Sequence, residues 1–125
     1  MSKSSKKKAY QLGHIAEYIA MMMLICKGYT IIAKRYRCPK GEIDIIARKN
    51  HAYIFCEVKA RRDYITAVES LSEKQKRRVL DSASWYMNGL NIKIDHKKCE
   101  EHLYRCDMIL IIPWRLPIHI KNAWW

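Results

Sequence analysis

Between Gly41 and Lys59 the chain sets three acids and a lysine, Glu42, Asp44, Glu57 and Lys59, inside two short segments that are otherwise apolar and β-branched or aromatic. Segments of that composition and length on either side of a polar tetrapeptide predict a β-hairpin. A turn centred on Asn50-His51 makes paired positions sum to 101, which puts Asp44 opposite Glu57 and Glu42 opposite Lys59. Side chains so paired have Cβ atoms about 4.5–5.5 Å apart, where like charges destabilise the sheet unless something neutralises them. A divalent cation would do so. Carboxylate oxygens are hard ligands, and Mg²⁺ is commonly held by one or two of them, with water and phosphate completing its shell. Lys59, two residues beyond Glu57, falls on the same face.

The hairpin pattern predicts two apolar faces. One carries Ile43, Ile45, Ala47, Ile54, Cys56 and Val58; the other carries Ile46, Tyr53 and Phe55, with Glu42, Asp44, Glu57 and Lys59 at one end. A sheet covered on both sides, with a site at its rim, fits that distribution. Upstream, Leu12, Ile15, Ala16, Ile19, Met22, Met23 and Cys26 recur at helical spacing, so a helix over Ala9–Lys27 packs this stripe on the sheet and ends at Gly28. Glu17 lies on a neighbouring face, either turned toward the site or simply exposed. Tyr29–Arg37 is β-prone, and Cys38-Pro39-Lys40-Gly41 turns into the hairpin. A polar link follows Arg62. Ser72-Glu73-Lys74-Gln75 matches a capping box and opens a helix to about Met87, buried through Val79, Ala83, Tyr86 and Met87. Residues 88–101 read as a loop with a short Ile92-Lys93-Ile94 element. Leu103–Ile112 is a buried strand stopped by Pro113, with Arg105 and Asp107 as an internal salt bridge. Ile118–Ile120 adds an edge strand, and Trp124-Trp125 packs.

The chain has 125 residues, half of them hydrophobic, and suits one domain over residues 9–125 behind a basic, disordered tail at 1–8. Its 24 Lys and Arg against 12 acids give a net charge of +12, which favours polyanionic partners, nucleic acid first, over a merely solubilising surface. Lys34, Arg35 and Arg37, Arg61 and Arg62, and Lys74, Arg77 and Arg78 are the candidate phosphate contacts. The last three sit at the start of a helix, where cations oppose the helix dipole, which points to another demand on them. Five cysteines without a Cys-x-x-Cys pair read as reduced and structural. The apolar run Ile15–Cys26 is interrupted by Glu17 and too short to span a membrane, so the expected location is cytoplasmic, with no membrane partner.

The order helix, strand, acid-bearing hairpin, helix, strand, with Asp44 followed by Glu57-Val58-Lys59, resembles the PD-(D/E)XK nuclease superfamily. The resemblance implies an α/β fold with a restriction-endonuclease-like core, a mixed central β-sheet flanked by helices in the order αβββαβ. A closer likeness covers nearly the whole chain. Gly13-His14-Ile15-Ala16-Glu17, Gly41 to Ala47, Phe55 to Arg61, Arg105-Cys106-Asp107 and His119 to Trp124 resemble the YraN-like family of bacterial proteins, related to Holliday-junction resolvases. That family usually has asparagine at the position of Arg35, and Gln75 is assigned no catalytic role.

The resemblance implies metal-dependent hydrolysis of phosphodiester bonds in DNA, including branched DNA, with RNA as the other substrate class. Asp44, Glu57 and the Val58 carbonyl would hold Mg²⁺ or Mn²⁺. Glu17 would assist directly or through water, and Lys59 would orient the attacking water or stabilise the transition state. By analogy with resolvases the protein would act as a homodimer. The alternative is a nucleic-acid-binding or adaptor protein that keeps the fold without turnover. A membrane-surface role for the first helix conflicts with its use in covering the sheet.

Overall fold

The computed structural model describes residues 3–90 and 104–123, with side chains from residue 13 onward. Eight elements follow in order: α1 (Lys3–Cys26), β1 (Thr30–Cys38), β2 (Gly41–Lys49), β3 (Ala52–Ala60), α2 (Tyr64–Glu69), α3 (Glu73–Gly89), β4 (Tyr104–Ile111) and β5 (Ile118–Ile120). The strands form one sheet in the order β1-β2-β3-β4-β5. β1, β2 and β3 are an antiparallel meander, β4 is parallel to β3, and β5 is antiparallel to β4. The parallel step requires a crossover, which α2 and α3 supply. The result is a mixed α/β fold with a restriction-endonuclease-like core.

Both sheet faces are covered, as the apolar pattern requires. On one face Ala20 and Leu24 of α1, together with Tyr29, pack on Ile45, Ala47, Ile54, Cys56 and Ile109. On the other, Val79 and Ala83 of α3 pack on Ile43, Ile46, Tyr53, Phe55 and Cys106. The Ser72–Gln75 capping box starts α3 as expected: the Ser72 hydroxyl accepts from the Gln75 N–H, and the Gln75 side chain accepts from the Ser72 N–H. Gly41 has φ +150°, and a Cβ there would lie 3.1 Å from Ser82 Oγ, so the start of β2 needs glycine to approach α3.

Several expectations are corrected. The face of α1 that meets the sheet is Ala16, Ala20 and Leu24, while Ile15, Ile19, Met22 and Cys26 of the expected stripe face outward. Two alanines let the helix axis come close to the sheet, which excludes its larger side chains. Ile43 packs on the α3 side with Ile46, Phe55 and Val79, not with Ile45. The backbone of Lys3–Lys8, expected as a disordered tail, is helical. Once packing fixes the rest of α1, each added residue gains a hydrogen bond without a new nucleation cost. The expected link after Arg62 contains the short helix α2, capped by Asp63, whose carboxylate accepts the Thr66 N–H at 2.8 Å. Four cysteines, Cys26, Cys38, Cys56 and Cys106, are free thiols. The Ile92–Ile94 element, Cys99 and Trp124-Trp125 lie outside the described residues.

Candidate active site

The observed β2–β3 register sums to 101 at every rung from Lys49↔Ala52 to Ile45↔Cys56, and there the ladder stops. Asp44 and Glu57 would form the next rung. Instead, Asp44 Oδ2 accepts the Val58 backbone N–H at 2.8 Å. β2 stays paired with β1 to Cys38↔Gly41, and β3 stays paired with β4 to Ala60↔Ile111. The two middle strands therefore part at the rim of an otherwise continuous sheet, and the acids sit in the opening. Glu42 departs from expectation: it pairs with exposed Arg37 at 3.6 Å, across β1 and β2, and not with Lys59. The partner of Lys59 is Glu57, with Nζ 3.5 Å from Oε1 and both side chains largely buried.

Burial and mutual repulsion dominate the electrostatics. The Glu57 carboxyl is pushed up to about 8, first by burial and then by the charge of Asp44, against the pull of Lys59. Asp44 is raised as well, by burial and then by the nearby Glu17, while the Val58 N–H works in the opposite direction. The two carboxyls hydrogen-bond each other, so the pair holds a proton through the neutral range. Proton and cation compete for the same oxygens.

Glu17, on α1, is buried and lines one cavity together with Asp44, Glu57, Val58 and Lys59. Its Oε2 accepts from Arg35 Nε at 3.0 Å, and Arg35 also meets His14 Nδ1 at 3.1 Å. Arg35 holds a left-handed backbone, φ 54°, inside β1. Such a conformation in a non-glycine residue persists only where surrounding contacts enforce it. The structure thus turns Arg35 toward Glu17, where sequence placed it among the phosphate contacts.

Two cavities flank the acid pair. The larger, about 650 Å³, runs between the β1–β2 turn and α3 and is bordered by Arg37, Lys40, Gln75 and Arg78 as well as both acids. The smaller, about 330 Å³, opens toward α1 and includes Gly13, Glu17, Lys59 and Arg61. Of the expected phosphate contacts, Arg37, Arg61 and Arg78 border these cavities. Lys34 is turned toward Tyr18, with Nζ donating to its hydroxyl at 3.2 Å and lying 4.2 Å from its ring centroid. Arg62, Lys74 and Arg77 are exposed and line neither cavity. Lys40 was missed; its place in the Pro39-Lys40-Gly41 turn leading into the acid-bearing strand was the available signal.

Arg105 and Asp107 form the expected internal pair. Asp107 is fully buried and accepts from Arg105 Nε at 2.8 Å, from the Asn122 N–H at 2.9 Å, and lies 2.7 Å from His119 Nε2. These contacts hold its carboxyl below the usual range in spite of burial. Arg105 reaches the Tyr29 hydroxyl at 2.8 Å, and Lys27 Nζ lies 2.7 Å from His119 Nδ1. This network ties the C-terminal end of α1 to β4 and β5. Glu17 and Cys26, the last residue of α1, are nine residues apart, about 13 Å along the axis, so the network stands apart from the acid pair.

The donor set suits a hard divalent cation. Among the described residues no group of three or more His, Cys, Asp or Glu side chains is placed to hold a metal. Asp44 and Glu57 would be the protein's contribution, and two carboxylates fit Mg²⁺, which retains water and takes phosphate oxygens as further ligands. Glu17, engaged by Arg35, stands at the margin of this set. Among the described residues no helix is long and apolar enough to cross a membrane.

The mixed five-stranded sheet flanked by helices is a restriction-endonuclease-like α/β fold, and it parts around a largely buried Asp-Glu pair with a lysine one step along the strand. Comparison with known proteins places the chain more narrowly. Residues 16–111 match the model of the uncharacterised protein family UPF0102, and the chain belongs to that family, the YraN-like group. It is 38% identical over 122 residues to a UPF0102 protein of Mesorhizobium japonicum, covering 98% of this chain and 93% of the relative. A UPF0102 protein of Nitrobacter winogradskyi is 41% identical over 116 residues, covering 92% of each chain. One from Bradyrhizobium sp. strain BTAi1 is 42% identical over 116 residues, covering 92% of this chain and 80% of the relative.

Proposed function

We propose that this protein is a metal-dependent nuclease that hydrolyses phosphodiester bonds in DNA, branched DNA included. The observation that carries the reading is the largely buried Asp44–Glu57 pair, two carboxyls crowded enough to retain a proton in place of a second counter-charge, set beside Lys59 between two cavities with basic borders. Asp44 and Glu57, with the Val58 carbonyl, would hold Mg²⁺ or Mn²⁺. Such a cation lowers the proton affinity of bound water and neutralises charge developing on phosphate. The Val58 N–H fixes the Asp44 carboxylate, so one of its oxygens is oriented before any ligand arrives. Lys59, largely desolvated, orients the attacking water or stabilises the negative charge of the transition state, where a preorganised ammonium acts more strongly than in water. Arg37, Lys40 and Arg78 would guide the phosphate backbone along the larger cavity. A cytoplasmic location belongs to the same reading, and the unpaired cysteines Cys26, Cys38, Cys56 and Cys106 support it.

The test is cleavage of labelled linear, flap and four-way DNA, and of RNA, with Mg²⁺ or Mn²⁺. Wild-type protein should cut at least one DNA substrate, and Asp44→Ala and Lys59→Ala should not. Binding that follows salt, with no cleavage of any substrate, would favour the adaptor reading.

We further propose that the active form is a homodimer joined through α1. Every exposed side chain of α1 between Gly13 and Cys26 is uncharged, namely Ile15, Tyr18, Ile19, Met22, Ile25 and Cys26. Two copies each carrying +12 meet most readily across an uncharged patch. These side chains share one face of α1, and a stable interface built on that face would bury about 1,200 Å² in total. Sedimentation should give a dimer for wild type and a monomer for Met22→Glu; a monomeric wild type overturns this assignment.

A further inference from the structure

The turn between β4 and β5 is built around a residue that neither the core nor the turn requires. The Arg115 N–H donates to the Ile112 carbonyl at 3.2 Å and closes a four-residue turn, with Pro113 at its second position and Trp114 at its third. Trp114 has φ 66°, so the position favours glycine or asparagine. Its side chain is 103% exposed relative to a free residue, and Leu116, two residues on, is 86% exposed. A tryptophan here strains the backbone and buries nothing, whereas large apolar side chains ordinarily repay their place by packing. Its function must lie outside the fold.

Its location indicates which function. β3 and β4 run parallel, Ala60 is paired with Ile111, and the Arg61 N–H donates to the Ile111 carbonyl at 3.2 Å. The turn therefore leaves the sheet at the same end as Glu57 and Lys59. Trp114 lies three residue steps along the chain from Ile111, and Ala60 three steps along the strand from Glu57. Trp114 thus stands no more than about 25 Å from the acid pair, about seven nucleotides at the 3.4 Å spacing of a stacked strand. Arg61, Arg62 and Arg115 are exposed at this end of the molecule.

We propose that Trp114 is a stacking platform for an unpaired base, with Leu116 beside it in sequence as a second apolar contact and the arginines holding the adjoining phosphates. The inference rests on the nuclease reading and deepens it: the substrate class becomes nucleic acid carrying unpaired nucleotides near the scissile bond. Aromatic rings stack on every base in a sequence-tolerant way, but a paired and stacked duplex presents no free base face.

The experiment is fluorescence anisotropy with labelled single-stranded, flap and fully duplex oligonucleotides, in EDTA so that nothing is cut, for wild type, Trp114→Ala, Trp114→Phe, Trp114→Gly and Leu116→Ala. Trp114→Ala should weaken single-strand and flap binding by about 5- to 150-fold while leaving duplex binding unchanged. Trp114→Phe should retain most of the affinity, and Trp114→Gly should lose it while melting no lower than wild type. Equal loss on duplex and single strand would overturn stacking in favour of a backbone contact. Undiminished binding by Trp114→Ala to every oligonucleotide would also overturn it, and would mark the turn as a protein-docking surface while the nuclease reading stands on its own cleavage test. Failure of wild-type protein to bind any nucleic acid at low salt would remove both.

Discussion

Replacing Glu57 with glutamine separates the cost of the largely buried acid pair from the rest of the fold. Glu57 is raised from an ordinary 4.5 to about 8, so the folded protein binds a proton that the unfolded chain releases. The sign follows. Stability from this group is fully present below about pH 4.5, declines as pH rises toward 8, and is flat above that. Taking those two values, roughly 3 kcal/mol is lost between about pH 5.5 and about pH 8.5, or roughly 10 °C in Tm. Glutamine keeps the size of the side chain and a hydrogen bond to Asp44 but does not titrate. In EDTA, the Glu57→Gln protein should match wild type near pH 5.5 and exceed its stability by about that amount near pH 8.5. Mn²⁺ at one thousand times its Kd should then reverse the order at high pH, since it adds about 4.1 kcal/mol to the protein that binds it. Urea unfolding at the two pH values, with and without Mn²⁺, reads all of this. Parallel wild-type and variant curves across the pH range would refute the account of a pair strained by its own charge.

Two other substitutions probe the scaffold. Asp107→Asn should lower stability by about 3–5 kcal/mol, because Arg105 loses its buried counter-charge. Since the Asp107 carboxyl is held low, this gap should be full at neutral pH and close only as acid protonates the wild-type residue, which urea unfolding below pH 4 would show. Gly41→Ala should cost about 1–3 kcal/mol in thermal unfolding, from its φ of +150° and the 3.1 Å approach to Ser82 Oγ.

Much of the site was legible because it depends on local rules. Alternation and one turn centre gave the hairpin register, and Asn50 does adopt the left-handed backbone expected of a tight turn, φ 56°. The charge of Asp44 and Glu57 in apolar strands was visible for the same reason. What sequence did not show are consequences of three-dimensional competition. That β2 and β3 part at Ile45↔Cys56 depends on which neighbours each strand keeps. That α1 buries Ala16 and Ala20 in place of Ile15 and Ile19 depends on how closely a helix can approach a sheet, which hydrophobicity alone ranks the other way. The turn of Arg35 onto Glu17 joins residues 18 apart through a backbone conformation that arginine rarely takes. Pro113 marked the end of a strand, but only the structure placed the tryptophan after it in solvent.

The central claim is that Asp44 and Lys59 perform chemistry on a backbone that other residues bind. Cleavage and binding of one labelled DNA substrate, measured on the same preparations of wild type, Asp44→Ala and Lys59→Ala with Mg²⁺ across a salt series, test it most directly. Both variants should keep wild-type binding, with log K falling by about 0.9 per phosphate neutralised on duplex, and should lose cleavage. Cleavage at the wild-type rate in either variant would contradict the account.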